Sequence, residues 1–174
     1  MLFKIASAFR RVSTMIRLRD YERRSGCRIW YIPQGEGGLW LQGDLAKFHI
    51  EPTSHLKSNT FIDASGGVNI GKYLHSGRGL TIFSTNHNYR STKKIPYDSE
   101  DISRPVNIGN CVWLGANVTL APGVSIGDGA IVSIGSVVFG DVPMCAIVRG
   151  NPAELIGYRD KEAFDQLFRE EKFY

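Results

Sequence analysis

Residues 106–138 read VNIGNCVWLGANVTLAPGVSIGDGAIVSIGSVV. Stepping by six from Val106 meets Val112, Val118, Val124, Ala130 and Ser136, and runs on to Val142 and Val148. A second column lies two residues further on: Ile108, Leu114, Leu120, Ile126, Val132, Val138 and Met144. An amphipathic helix spaces its apolar residues three and four apart, and hairpin proteins hold no fixed period of six over about forty residues. Paired inward positions every six residues are the mark of a parallel β-helix. Each hexapeptide is one short strand and one turn, and three of them close a triangular coil of about eighteen residues.

The same step runs upstream through Ile50, Leu56, Ile62, Val68, Leu74 and Leu80. Side chains alternate across a strand, so the next residue in each case is expected to point outward. Those residues are Glu51, Lys57, Asp63, Asn69, His75 and Thr81, all polar. After Leu80 the next column member would be residue 86, yet the pattern resumes only at Val106. The interval 86–105, NHNYRSTKKIPYDSEDISRP, is polar and without repeat. It is longer than an ordinary connection, which predicts a functional loop that leaves the coil and returns to the same corner. His87 opens this loop, twelve residues beyond His75 in the outward column. With the loop taken out of the count and one coil subtracted, Asn69 is expected below the slot of His87 and His75 below Trp113.

The 174 residues suffice for one domain with its own core, and 43% hydrophobic with 22% charged residues is an ordinary soluble mixture. Cys27, Cys111 and Cys145 are odd in number and lack ligand spacing, which argues against a disulfide framework or zinc ribbon and for a reducing compartment. No run approaches the roughly 18 apolar residues of a membrane span. Lys4, Arg10 and Arg11 interrupt the N-terminus too early for a secretory segment, so a cytoplasmic location is expected. The formal charge of +4 is uneven: residues 1–24 carry seven basic side chains against Asp20 and Glu22, leaving the rest at −1. Leu2, Ile5, Phe9, Val12, Ile16 and Leu18 fall on one helical stripe, so residues 1–30 read as a basic amphipathic segment. It either packs on the body or meets anionic headgroups at the inner face of a membrane; no nucleic-acid motif accompanies it. Residues 31–158 form the expected coil domain with its excursion at 86–105. Residues 159–174 place Phe164, Leu167 and Phe168 on one face of a short helix expected to close the open end of the coil.

The 106–138 repeat, together with GNPAELI at 150–156, resembles the hexapeptide-repeat acyltransferases. The resemblance implies an all-β left-handed parallel β-helix, with acetyl-CoA bound in a groove between two chains of a homotrimer. It implies that His87 is the general base that takes the acceptor's proton, a role suited to an imidazole near neutral pH. Trp113 is similar to a tryptophan that walls such sites. Gly115 and Ala116 correspond to a turn whose Ala116 N–H meets the thioester carbonyl, and Ser133 and Ile134 flank the pantetheine arm. Phe139 and Gly140 stand where the family has threonine and lysine, and Glu154 where a basic residue is usual. Arg149, Arg159 and Lys161 are then the candidate phosphate contacts. Asn69, His75 and Asn86 are candidates for holding the acceptor.

The Asn86–Tyr89 context resembles the maltose, galactoside and polysaccharide O-acetyltransferase branch, which implies a saccharide hydroxyl as acceptor. An amino-sugar N-acetyltransferase is the alternative. Cys111 lies at a turn with no base signalled beside it and makes a poor nucleophile. The other readings are a zinc enzyme of the γ-carbonic-anhydrase kind, built from His49, His55, His75 and His87, and a non-catalytic scaffold. The spacing of those histidines supplies no converging pair, and no metal is expected.

Overall fold

The computed structural model describes the main chain of residues 2–174 and the side chains of Phe9 and residues 12–174. From Trp30 to Arg149 the chain winds as a parallel β-helix with three faces. The aromatic face stacks Trp30, His55, His75, Trp113, Ile131 and Ile147 as its outward column. The asparagine face stacks His49, Asn69, Asn107 and Ser125, and the threonine face stacks Phe61, Thr81, Thr119 and Val137. Inside, the two predicted columns from Val106 to Val142 are buried and form one continuous core with Val68, Leu74, Leu80 and Ile82. Corner turns along the regular coil contain a left-handed residue, and these too recur every six: Gly67, Tyr73 and Gly79, then Cys111, Asn117, Gly123, Gly129 and Gly135.

The repeat is less uniform than its sequence period. Asn107 pairs with Ser125 and Trp113 with Ile131, eighteen residues apart, whereas His49 pairs with Asn69 and His55 with His75, twenty apart. The extra two residues lie in the turn after Ile62, where Asp63 folds inward and accepts from Ser65 Oγ at 2.6 Å. The column drawn from Ile50 therefore crosses from one inward row to the other. His49, His55 and Phe61 are the outward residues of the early coil, in place of Glu51, Lys57 and Asp63, and Asp63 is only 4% exposed. Both rows are apolar, so a slip of two leaves the inside-outside pattern intact and is silent in the sequence, unlike a slip of one. The last coil is short by two: Val142 bridges to Ile126 and Ile147 pairs with Ile131. Met144, expected inside, is exposed as a result, and Ala146 and Val148 fill the core.

The helical ends depart from expectation in their packing. The first helix, α1, spans Leu2–Ser25. Tyr21 is buried, Leu18 packs on the core, and the Arg17 guanidinium lies 4.1 Å over the Trp40 ring. Glu22 accepts from the Ile29 N–H at 2.9 Å and fixes the exit of the helix. Phe9, Val12 and Ile16 are exposed, so the predicted stripe divides: Leu18 faces the coil and those three do not. The Leu2, Ile5, Lys4, Arg10 and Arg11 side chains lie outside the described residues. The second helix, α2 (Lys161–Arg169), is capped by Asp160 accepting from the Ala163 N–H. It does not cover the open rung. That edge is closed by Glu154–Tyr158 pairing antiparallel with Ala146–Arg149, while α2 lies along the aromatic face with Phe164 against Gly129. Among the described residues no helix is long and apolar enough to cross a membrane.

Candidate active site

The excursion is an ordered arm at its base. Thr85–His87 pairs antiparallel with Asp101–Ser103, setting His87 opposite Asp101 and Asn86 opposite Ile102. Arg104 N–H donates to Ser84 O at 2.8 Å and closes the base of the arm. Thr85 Oγ1 donates to Asp63 Oδ2 at 2.6 Å and ties the arm to the coil below. Burial would raise the Asp63 carboxyl, but the bonds from Ser65 and Thr85 outweigh it and hold the group below the ordinary carboxylate value.

His87 lies on the exposed side of this arm. Its Nδ1 is 3.0 Å from Asp101 Oδ1, and its ring stacks on Tyr97 at 3.9 Å with planes 8° apart. Asn86 Oδ1 accepts from the His87 main-chain N–H at 2.9 Å. A carboxylate only accepts, so the pairing puts the imidazole hydrogen on Nδ1 and leaves the Nε2 lone pair free. That is the arrangement of an oriented general base. His49, by contrast, is bound at both nitrogens, with Nε2 3.2 Å from Glu51 Oε1 and Nδ1 3.5 Å from Cys27 Sγ.

A cavity of about 800 Å³ lies on the aromatic face, between the coil and α2 with the tail that follows it. Its floor includes His55, His75, Trp113, Ala116 and Ile131, and its outer wall includes Phe164, Leu167, Phe168 and Phe173. Phe173 stacks on Tyr73 at 3.9 Å, and the Tyr174 main-chain oxygen is 3.1 Å from His75 Nε2. Gly77 and Gly115 stand at the corner beside Trp113. A Cβ on Gly77 would come within 2.4 Å of Ala116 N, and one on Gly115 within 2.5 Å of Ile134 N, so each position needs glycine to let the next rung's main chain stack directly against it. Burial pushes the His55 imidazole down to about 4, with His75 and Lys57 adding to the effect. Burial likewise raises the Cys111 thiol, helped by Asp128, which disfavours it as a nucleophile.

The predicted residues thus fall into separate places. His75, Trp113, Gly115, Ala116, Ser133, Ile134 and Arg159 share the cavity. His87 and Asn86 belong to the arm, which leaves the corner between the threonine and asparagine faces. In a triangular coil that corner is opposite the aromatic face, so within one chain Trp113 does not wall His87; Tyr97 does. Asn69 is on the asparagine face, where its Nδ2 donates to Asn107 Oδ1 at 2.9 Å. The slot above it therefore belongs to Asn107 and not to His87, whereas His75 does lie below Trp113 as expected. Phe139 and Gly140 are exposed after the strand Val137–Val138, away from the cavity. Arg149 is paired in register with Glu154, and Lys161 lies 4.9 Å over the Tyr158 ring. Of the basic candidates Arg159 alone lines the cavity, with a buried Nε that has no hydrogen-bond partner among the described residues. Asp101, Tyr97 and Asp63 were not singled out by the sequence, and His55 only among the histidines of the zinc reading. The register slip hid the last two, and only the hairpin pairing selects Asp101 from its acidic neighbours.

Residues 105–140 match the family model described as bacterial transferase hexapeptide (six repeats). The chain carries the hexapeptide repeat of the bacterial transferases. It is 42% identical over 113 residues to a putative lipopolysaccharide biosynthesis O-acetyl transferase, WbbJ, of Escherichia coli K12, covering 53% of this chain and 58% of that protein. It is 30% identical over 129 residues to the galactoside O-acetyltransferase of the same organism, covering 72% and 63%. A hexapeptide-repeat acetyltransferase of Vibrio cholerae, solved with acetyl coenzyme A, superposes with a TM-score of 0.68 at 24% identity, covering 80% of this chain and 75% of that one. The fold of this hexapeptide-repeat chain is accordingly the left-handed parallel β-helix. The chain spans about three fifths of the length of the two curated relatives.

Proposed function

We propose that this chain transfers an acetyl group from acetyl-CoA to a hydroxyl of a saccharide, at sites formed between neighbouring chains of a homotrimer. The observation that carries this reading is the His87–Asp101 pair, which leaves Nε2 of an exposed imidazole free to accept a proton. In the reaction, Nε2 takes the hydroxyl proton as the acceptor oxygen attacks the thioester carbonyl. The new C–O bond forms, the oxyanion is met by the Ala116 N–H, and collapse breaks the C–S bond. The imidazolium then returns its proton to the departing thiolate. Trp113, Ser133, Ile134 and Arg159 in one cavity support a donor groove there, with Arg159 as a basic contact in place of the missing lysine.

The separation of His87 from that cavity supports a site shared between chains, because closed symmetry allows one chain's arm to meet its neighbour's aromatic face. The relatives that act on galactosides or take part in lipopolysaccharide synthesis support a saccharide hydroxyl as acceptor. The exposed Phe9, Val12 and Ile16 on a basic helix support contact with an anionic membrane surface, which fits a lipid-linked acceptor. The test is acetyl transfer from acetyl-CoA to a panel of sugars by wild type and His87→Ala. Loss of the base is expected to cost roughly 10² to 10⁴ in rate, and equal rates in the two proteins overturn the mechanism.

A further inference from the structure

We propose that Cys27 is a reactive thiol, served by His49 as base and Glu51 as its orienting group, that forms mixed disulfides with low-molecular-weight disulfides. The site is on the asparagine face and does not rest on the acyl-transfer reading. Cys27 follows the last residue of α1 by two, and its Sγ is 3.5 Å from His49 Nδ1. His49 Nε2 is in turn 3.2 Å from Glu51 Oε1. A carboxylate only accepts, so Glu51 places the imidazole hydrogen on Nε2 and leaves the Nδ1 lone pair turned toward the thiol. A nucleophile within reach of a base that a third group orients is the general signature of an activated side chain. Cys27 is partly buried, while the His49 and Glu51 side chains are 55% and 33% exposed, so solvent reaches the group.

The neighbours of the sulfur select the electrophile. Besides the imidazole, Sγ meets the main-chain oxygens of Ser25 at 3.7 Å and Phe48 at 3.6 Å. Acyl transfer to this thiol would build an oxyanion, which calls for hydrogen-bond donors and is repelled by carbonyl oxygens. Disulfide exchange keeps the developing charge on sulfur and releases it with the departing thiolate. In that step His49 Nδ1 takes the thiol proton as Sγ attacks one sulfur of the disulfide. The new S–S bond to Cys27 forms, the partner's S–S bond breaks, and the imidazolium gives its proton to the leaving thiolate. Cys27 is thereby oxidised, and half of the partner departs as the reduced thiol. Cys27 also packs against the core where α1 joins the coil, so the added group lands at that joint. The other two cysteines are less suited, because burial raises the thiols of both Cys111 and Cys145.

The experiment treats the full reduced chain with glutathione disulfide and follows the adduct by mass spectrometry with peptide mapping. Wild type is compared with His49→Gln, Glu51→Gln and Cys27→Ser, each checked for native circular dichroism. We expect one glutathione per wild-type chain on Cys27, added about tenfold or more faster than on Cys111 or Cys145. Near pH 7, His49→Gln is expected to slow the Cys27 reaction about tenfold or more, with Glu51→Gln between the two. Near pH 9.5, above the ordinary pKa of about 8.5 for a free thiol, the variants should approach wild type, because the sulfur then needs no base. A loss of access would instead slow the reaction equally at both pH values, and that result overturns the role of His49. A Glu51→Gln rate equal to wild type near pH 7 removes Glu51 from the site. No adduct on folded wild type, or one spread evenly over the three cysteines, overturns the proposal as a whole.

Discussion

Asp101 fixes the His87 tautomer through a single contact of 3.0 Å, so its removal tests orientation apart from basicity. Asparagine at position 101 can donate to Nδ1 as readily as accept from it, which admits the tautomer whose Nε2 carries the hydrogen. Asp101→Asn is expected to lower kcat roughly ten- to hundredfold with little change in acceptor KM. That is less than in a buried triad, because this carboxylate is exposed. A steady-state comparison with His87→Ala measures it. His55 is tuned in the opposite direction. Its pKa falls from 6.5 to about 4 on folding, so below pH 6.5 the unfolded chain takes up a proton that the folded chain refuses. Its contribution to stability is complete above pH 6.5 and is lost as pH falls toward 4, at up to about 1.4 kcal/mol per unit. The urea midpoint is therefore expected to drop between pH 7.5 and 5.0 in wild type, and to drop less in His55→Asn. Asp63, with a depressed pKa, gives up its own contribution only below its ordinary 3.8 and leaves that window clear. Of these residues the sequence singles out only His87 as a working group, because it opens the break in a period. Asp101 has no such marker, standing among Asp98 and Glu100 until a hairpin register selects it.

At the scale of elements, the coil was legible because a six-residue period admits few other structures, and its core rows follow directly from that period. What escaped was register. A turn longer by two, built around Asp63, moves the chain between two equally apolar rows, and no side chain changes sides to betray it. The arm was legible as an interruption, yet its pairing was not, since Thr85–His87 and Asp101–Ser103 are short polar strands. In α1 the amphipathic pattern was visible, but the body-facing side depends on Tyr21 and Arg17 finding the coil, which the pattern does not encode. The consequence is an outward apolar stripe with Phe9 75% and Ile16 63% exposed, on a segment of net charge +5. Such a helix is expected to bind vesicles of anionic phospholipid at low salt, with release as salt rises and no binding to neutral vesicles. Co-sedimentation of wild type with the double variant Phe9→Asp, Ile16→Asp measures it. Equal partitioning of the two proteins rules out the apolar contribution, and no binding by wild type rules out the contact.

For the whole molecule, the geometry of a triangular coil decides how its parts can cooperate. The arm stands at one corner and the aromatic face spans the opposite side, so His87 and Trp113 of one chain stand on different sides of the coil. A sequence period describes a single chain and contains no trace of this separation; it follows only once faces and corners are assigned. If the site is completed by a neighbour, two inactive variants repair one another. His87→Ala and Trp113→Ala, each poorly active alone, are co-expressed in equal amounts under different tags. Random assembly into trimers makes three quarters of them mixed, each with one site of three holding both side chains intact, so about a quarter of wild-type activity is expected. The control is the double variant mixed with wild type, where recovery follows the fraction of wild-type neighbours. A site contained within one chain, by contrast, yields nothing beyond the summed residual rates of the two variants in the mixed sample. Sedimentation of that sample as a trimer, with no gain in rate over those residuals, would place base and groove together in each chain and overturn the shared site.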